Sequence, residues 1–493
     1  MTDPAVKFLD NARWAAAAKI VSGGVSIILV FVLGKVLGAG AYGLFASTTS
    51  VLIFARIVGG SGLGQSTGKH LANLAPEEAD KRGSYMAAGF LLQTVIALIM
   101  SAVIWFGAGR IAAITSSPAM GPALKIGAFI MVFFALTEFS KACLQGLQRF
   151  EFLAMITWVE YAGKLLLAGG LALAGFGLAG ALSGFALALA LASLLALFIF
   201  TRQGMAWPSL SGREWRSLVG YSLPLVFTAA SFVIYMELDT IMLLYYGGPA
   251  AAGIYSMAIN VARAVPFFVI PIGQSAAPLI AKMWREGDDQ APEFVHRLIK
   301  YVVACFFPAG VALFVLAPRI LALMGPEYPA GTTSLRVMSV FVLSLSLAAV
   351  AVPILDYLGK AGSRAVWLTV SVSANVALNF VLIPRFGGVG AALATAITHA
   401  PYALNNLAVL ARTVGLRAAR LYVSVGVILA ASAAAGAVGA LALYLTASPV
   451  VTIVAGGVVY VGLLRFGNIF SVTEVSQAID KVLVGIRAPI SSE

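Results

Sequence analysis

Apolar runs of eighteen residues or more recur along the whole chain, separated by short polar or glycine-rich breaks. Each run is long enough to cross a bilayer as an α-helix. The pattern predicts an all-α polytopic membrane protein with fourteen transmembrane helices. The spans are read at about 14–37, 43–64, 84–106, 120–147, 152–174, 178–201, 218–246, 252–281, 295–317, 330–358, 364–384, 389–411, 420–445 and 450–470. The first run is too long for the core of a signal peptide and reads as an uncleaved first span.

Two breaks in this pattern are related. Gly38-Ala39-Gly40-Ala41-Tyr42-Gly43-Leu44-Phe45 meets Gly248-Pro249-Ala250-Ala251-Ala252-Gly253-Ile254-Tyr255 at a shift of 210 residues (248 − 38). Phe176-Gly177-Leu178-Ala179-Gly180-Ala181 meets Phe386-Gly387-Gly388-Val389-Gly390-Ala391 at the same shift. That shift lays spans 1–6 onto spans 7–12. Six is even, so the halves keep the same orientation and form a parallel repeat, with substrate expected between them. The chain divides into 1–208 (spans 1–6), 209–417 (spans 7–12) and 418–493 (spans 13–14 and a tail). Glycine at each break permits a tight reversal and close helix approach.

Charge sets the orientation. Connections after even-numbered spans carry Lys69, Lys81, Arg82, Arg149, Arg202, Arg213, Arg216, Lys282, Arg285, Arg297, Lys300, Lys360, Arg364, Arg412, Arg417 and Arg420. Those after odd-numbered spans carry only Arg110, Arg319 and Arg385. The positive-inside rule therefore puts even connections and both termini, with Lys7, Arg13, Lys481 and Arg487, in the cytoplasm. The net charge of +12 is spread over these loops rather than gathered on one face, which argues against nucleic acid as a partner. Cys143 and Cys305 fall inside spans without metal-ligand spacing and read as small apolar filler.

The segment Gly62–His70 imitates a phosphate-binding loop, but its glycine spacing is wrong and His70 replaces the hydroxyl residue. The informative residues are ionisable groups deep in spans, each costing about 3 kcal/mol or more unless it meets a partner or water. Arg56 in span 2 and Arg263 in span 8 lie at similar depth in equivalent spans. A guanidinium is a permanent planar donor suited to phosphate oxygens. Glu237 can reach Arg263 across the span 7–8 hairpin, so an ion pair competes with substrate binding there. Arg56 has no acid in its own hairpin and reads as cavity-lining. Lys19, one turn into span 1, is placed at the inner mouth. Counted from the turn near Arg149, Glu138, Lys141, Glu160 and Lys164 reach one level and predict a buried charge cluster, either self-neutralising or proton-coupling. Asp239 lies in span 7 towards the outside. Lys35 and Arg336 sit at span ends and snorkel. Asn375 and Asn379, one turn apart in span 11, read as interhelical glue, and His399 as a weak candidate. No catalytic or metal site is expected.

These residues carry a family resemblance. Gly34 to Phe45 resembles the first-span signature of polysaccharide exporters: a basic residue, then Leu-Gly, then Tyr-Gly-Leu-Phe. Asp239, followed by an apolar run, a glycine turn and Gly253-Ile254-Tyr255-Ser256, is similar to their span 7–8 signature, and Phe386 to Ala392 to a common late element. The group is the Wzx-type flippases of the multidrug/oligosaccharidyl-lipid/polysaccharide exporter superfamily. The resemblance implies two six-helix lobes in an inverted V and alternating access. It further implies transfer of a polyprenyl-diphosphate-linked oligosaccharide across the inner membrane for polysaccharide biosynthesis, with membrane lipids and polysaccharide polymerase machinery as partners. Fourteen spans also resemble the lipid II flippases, with cavity arginines in spans 2 and 8 and a groove beside the last two helices. Tyr42 stands where those flippases carry an acid, which favours another lipid-linked glycan. No organic cofactor is implied, and H+ or Na+ are the candidate driving ions. Two rivals stand beside this reading. A multidrug cation antiporter of the same superfamily commonly has twelve spans, and one group has an acid in span 1 that is absent here. A glycan polymerase or glycosyltransferase would need paired carboxylates on a sizeable loop, so the chain is not expected to be an enzyme.

Overall fold

The computed structural model describes residues 4–58, 61–74, 78 and 81–467. Lys481, Arg487 and the rest of the C-terminal tail lie outside the described residues. Thirteen α-helices follow one another, with no strand among the described residues. They are α1 (Pro4–Val58), α2 (Ser61–Ala72), α3 (Lys81–Ile114), α4 (Met120–Gly146), α5 (Phe150–Gly163), α6 (Gly177–Arg202), α7 (Gly212–Phe267), α8 (Ile270–Arg285), α9 (Ala291–Ala322), α10 (Thr332–Tyr357), α11 (Ala361–Val414), α12 (Ala418–Thr446) and α13 (Pro449–Phe466). Between α5 and α6 the chain winds as π-helical turns, Lys164–Gly169 and Ala172–Phe176. Large apolar side chains such as Phe106, Leu166 and Phe466 stand exposed, as expected of helices whose solvent is lipid.

Among the described residues ten helical stretches are long and apolar enough to cross a membrane. Four of these run 45 to 54 residues, and 50 residues of straight helix extend about 75 Å, more than twice a hydrocarbon core. Each folds back at a glycine. In α11 the Asn375 amide donates to Thr395 Oγ1 at 3.4 Å, although 20 residues separate them. In α7 the Arg263 guanidinium donates to the Met236 carbonyl, 27 residues away. In α1 the Tyr328 ring meets Tyr42 while its hydroxyl donates to the Gly34 carbonyl at 2.9 Å, so both sides of Gly38 share one neighbour.

The corners repeat. Gly38 has φ 69°, ψ 171°, and Gly248 has φ 77°, ψ −179°. Gly177 has φ 53°, ψ −138°, and Gly387 has φ 54°, ψ −132°. The two pairs stand 210 residues apart and hold conformations open chiefly to glycine. Around these corners α1 packs on α4, α5 and α6, and α7 packs on α10 and α11. The helices α12 and α13 pair with each other and join the rest mainly through α9.

The halves touch at both ends. At the corner end, a Cβ on Gly43 would fall 1.8 Å from the Pro249 carbonyl oxygen, and one on Gly253 would fall 1.9 Å from that of Ala39. The backbones thus meet with no room for a side chain. Glu327, just before α10, accepts the Ala39 amide at 2.6 Å. At the opposite end, where the linker between α6 and α7 runs, Ser66 Oγ donates to the Leu218 carbonyl at 2.7 Å and Lys69 lies 3.7 Å over the Tyr221 ring. The segment resembling a phosphate loop is simply α2, and its Gly68 is packed against the α4 backbone. Cys143 is buried and Cys305 exposed, and both are free.

Candidate functional site

The predicted cluster in the first half is present and larger than expected. Glu160 is buried, with 1% of its side chain exposed. It accepts Lys141 Nζ at 2.8 Å and is also paired with Lys164. Lys141 turns to Glu138 as well. Lys164 is boxed by Phe185 at 4.3 Å and Tyr161 at 4.8 Å, so its charge also faces ring quadrupoles. It begins the π-helical stretch, a distortion common where a helix interior carries function.

Arg56 joins this cluster: it has no acid in its own hairpin, as expected, but finds one on another helix. Its Nη1 lies 4.0 Å from Glu138 Oε2, and its guanidinium is 4.8 Å from the Phe134 ring. The acid comes from α4, on which α1 and α2 pack, rather than from the hairpin that holds Arg56. Three cations therefore face two carboxylates. The excess charge sits at the more exposed end, where the Arg56 and Glu138 side chains are 23% and 37% exposed.

Arg263 stands in the second half. Its Nη1 is 3.6 Å from Glu237 Oε1, the predicted pair. Glu237 also accepts the Ser50 hydroxyl at 2.6 Å, and Ser50 belongs to α1, 187 residues away. Nothing in the sequence pattern announces that link. The two arginines share one further feature. The Nε of each is buried without a hydrogen-bond partner. Lys19 is exposed on α1, and Lys35 is exposed one turn before the corner. Arg336, half-buried, donates to the Phe314 carbonyl at 3.3 Å.

The second half buries a different kind of polar chemistry. Asp239 accepts the Thr240 amide at 2.8 Å and the Tyr255 hydroxyl, and it forms no ion pair among the described residues. Tyr235 donates to the Thr395 carbonyl at 2.8 Å, and Ser371 to that of Thr398 at 2.8 Å. Asn379 donates to Asn375 Oδ1 at 3.0 Å, but its own Oδ1 is buried without a partner. His399 meets Ser344 at 2.9 Å through Nδ1 and packs between Phe341, Tyr402 and Tyr235. Asn375 ties the arms of α11 together, as glue would, while Asn379 bonds within its own arm and leaves its carbonyl orphaned.

An apolar cavity of about 250 Å³ opens between α9, α12 and α13, lined by Pro308, Val311, Gly436, Gly439, Gly456 and Tyr460 among others.

Comparison with known proteins follows the same lines. The profile described as "Polysaccharide biosynthesis protein" matches residues 8–284, more than half of the chain, and the MatE profile matches 224–384. An uncharacterized membrane protein of Methanocaldococcus jannaschii is 22% identical over 405 residues, covering 77% of this chain and 92% of its own length. Among solved structures, the lipid II flippase MurJ in an inward closed conformation superposes with a TM-score of 0.73 at 12% identity, covering 93% of this chain and 98% of its own. An inward-facing multidrug resistance MATE family transporter of the MOP superfamily gives 0.65 at 13%, covering 80% and 98%. At such identities the likeness is one of fold. The chain belongs to the polysaccharide biosynthesis protein family and has the fold of MOP-superfamily transporters.

Proposed function

We propose that this protein flips a polyprenyl-diphosphate-linked oligosaccharide across the inner membrane by alternating access. The units 1–208 and 209–417 act as rocking lobes in an inverted V, and residues 418–493 as an appended pair of spans with a tail. The eight arms of the four hairpins and the single spans α3, α4, α9, α10, α12 and α13 make fourteen crossings, with both termini cytoplasmic and the corner end outside. Arg56 and Arg263 hold the diphosphate from opposite lobes, and Lys19 attracts it to the inner mouth. The apolar cavity beside α12 and α13 suits part of the lipid tail. Polysaccharide polymerase machinery would take up the product.

The observation that carries this reading is the matched arginine pair. Each is partly exposed, held by a carboxylate at 3.6–4.0 Å rather than a close fork, and left with a buried unpartnered Nε–H. A diphosphate supplies oxygens for such donors. A gradient of H+ or Na+ is the proposed drive, and Asp239 is a better seat for the coupling ion than Glu138 or Glu160. The latter two are already neutralised by Lys141, Lys164 and Arg56, whereas Asp239 forms no ion pair among the described residues.

The MatE match over 224–384 favours a second reading, antiport of small organic cations. The cationic excess at Arg56 opposes it. The test is transport in proteoliposomes with lipid-linked glycans and, in parallel, with cationic dyes. Arg56→Ala and Arg263→Ala are expected to lower glycan flipping at least tenfold, the scale of one lost charged contact of about 1.5–3 kcal/mol. Wild-type glycan rates in both variants, or dye transport without glycan transport, overturn the proposal.

A further inference from the structure

Glu237 touches two things at once. Its Oε1 faces the Arg263 guanidinium at 3.6 Å, and its Oε2 accepts the Ser50 hydroxyl at 2.6 Å. Ser50 lies on α1 in the other half, and it is only 2% exposed. Six residues further along the same helix stands Arg56, about 9 Å along the axis. Seven residues the other way stands Gly43, where the backbones of the two halves meet. Among the described residues the Ser50–Glu237 bond is the deepest of these corner-end hydrogen bonds and lies nearest to the arginines, although the Phe267 ring also lies against Gly23 of α1 further in. The shallower ties, Glu327 to the Ala39 amide at 2.6 Å and Asn260 to the Tyr42 hydroxyl at 3.1 Å, lie towards the corner.

We propose that Glu237 is a substrate-displaced latch, a stand-in for the anionic group that Arg263 later takes. This rests on the reading of Arg263 as a phosphate site. In the empty protein the guanidinium holds the Glu237 carboxylate in place at the interface, where it accepts Ser50. A phosphate arriving at Arg263 offers more negative charge and more acceptor oxygens, and it matches the planar fork of the guanidinium. Glu237 then loses its counter-charge and gains a like charge beside it, a combination that a poorly hydrated interface penalises strongly. The carboxylate withdraws. Ser50 loses its acceptor and is left as a buried hydroxyl, itself unfavourable. The seal is thus weakened from its inner edge, and only when substrate is aboard. An empty carrier stays closed at the corner end, which suppresses idle opening. The arrangement also has a direction. An organic cation would attract Glu237 and loosen its pairing with Arg263 without adding the like charge, so it would not drive the carboxylate off Ser50.

The experiment uses the full chain in lipid nanodiscs, with Cys143→Ala and Cys305→Ala and spin labels at Ile114→Cys and Leu323→Cys, exposed ends of α3 and α9 on either half. Farnesyl diphosphate is the probe. Double electron–electron resonance reads the separation of the halves at the corner end, and titration calorimetry reads binding. The expected result is that the probe widens the label distance in the otherwise wild-type protein. Glu237→Gln should bind the probe several-fold tighter, because no carboxylate competes, yet should not widen in response. Ser50→Ala should widen without probe while binding it normally. If Arg263→Ala weakens binding but Glu237→Gln widens as the parent does, or Ser50→Ala stays closed without probe, the latch is wrong and the phosphate site stands. If Arg56→Ala and Arg263→Ala both bind the probe as the parent does, the phosphate site fails and the latch fails with it.

Discussion

The two halves of this protein share backbone corners and bury opposite chemistry. Gly38 and Gly248 turn the chain in the same way, and so do Gly177 and Gly387. Yet the first half encloses full charges, three cations on two carboxylates. The second encloses amides, hydroxyls and one histidine, with the Arg263–Glu237 pair and Asp239, which forms no ion pair among the described residues. A repeat fixes where helices reverse, because only glycine tolerates those dihedrals. It leaves the side chains of each half free to diverge. Our reading is a division of labour: the net cationic wall of the first half and Arg263 of the second face the anionic head, while the ion-coupling pocket around Asp239 belongs to the second half alone.

The largest expected effect separates these two chemistries. Lys164→Met leaves buried Glu160 with Lys141 alone and is expected to destabilise the protein by about 3–5 kcal/mol, seen as a large loss of melting temperature in detergent. Replacing Glu138, Lys141, Glu160 and Lys164 together by apolar residues of similar size removes the buried charges at once and leaves only the partly exposed Arg56. It is expected to restore most of that stability and most of the transport. Asp239→Asn is expected to do the reverse, leaving the melting temperature near wild type while gradient-driven transport collapses. If the quadruple variant folds but loses gradient-driven transport, or Asp239→Asn keeps it, coupling belongs to the first half and the division is wrong.

Hydropathy and glycine spacing made most of the fold legible, since the period of apolar runs and the shift of 210 residues are properties of the chain alone. Contacts within one hairpin were also legible by counting from its corner. Arg263 with Glu237 was found this way. Asp239 with Tyr255 could have been, because they stand nine and seven residues from Gly248. Contacts between helices distant in the chain were not. Glu138 reaches Arg56 because α4 packs on α1 and α2, and Ser50 reaches Glu237 because the halves are closed at the corner end. No count along the sequence reports either packing. Glu327 carried a faint signal, an acid in an otherwise acid-poor outside connection. The π-helical turns that begin at Lys164 carried none.

A second, smaller effect tests the seal by comparing two glycines of one corner. Gly43→Ala puts a methyl 1.8 Å from the Pro249 carbonyl oxygen, so the halves must move apart there. Gly40→Ala meets nothing within 4 Å. Gly43→Ala is expected to shift spin labels on Ile114→Cys and Leu323→Cys to longer distances and to cut transport severalfold, with Gly40→Ala within about 0.5 kcal/mol of wild type in stability, as surface changes usually are. Equal behaviour of the two would mean that the corner is not a seal.

The smallest effect lies at the other end, where the linker meets the first half. Glu214 caps α7 through Ser211 and lies 3.0 Å from Lys81, while the Ala206 amide donates to the Gly83 carbonyl at 3.3 Å. The Ser211 hydroxyl and amide, followed by Lys81, draw the Glu214 carboxyl down from 4.5 to about 2. A carboxyl lowered on folding adds stability that is complete above 4.5 and disappears as the pH falls through about 2. The melting temperature should therefore decline between these values in part because of Glu214. Gln at this position keeps the capping geometry but cannot titrate. Glu214→Gln is expected to flatten that part of the profile and to cost about 1 kcal/mol or less at neutral pH, since an exposed ion pair contributes little. Unlike Glu160, Glu214 keeps water as an alternative partner, so losing its charge strands nothing. A loss as large as that of Lys164→Met would show that the linker end, like the cluster, relies on a dehydrated charge, and the contrast between the buried wall and the solvated linker would fall.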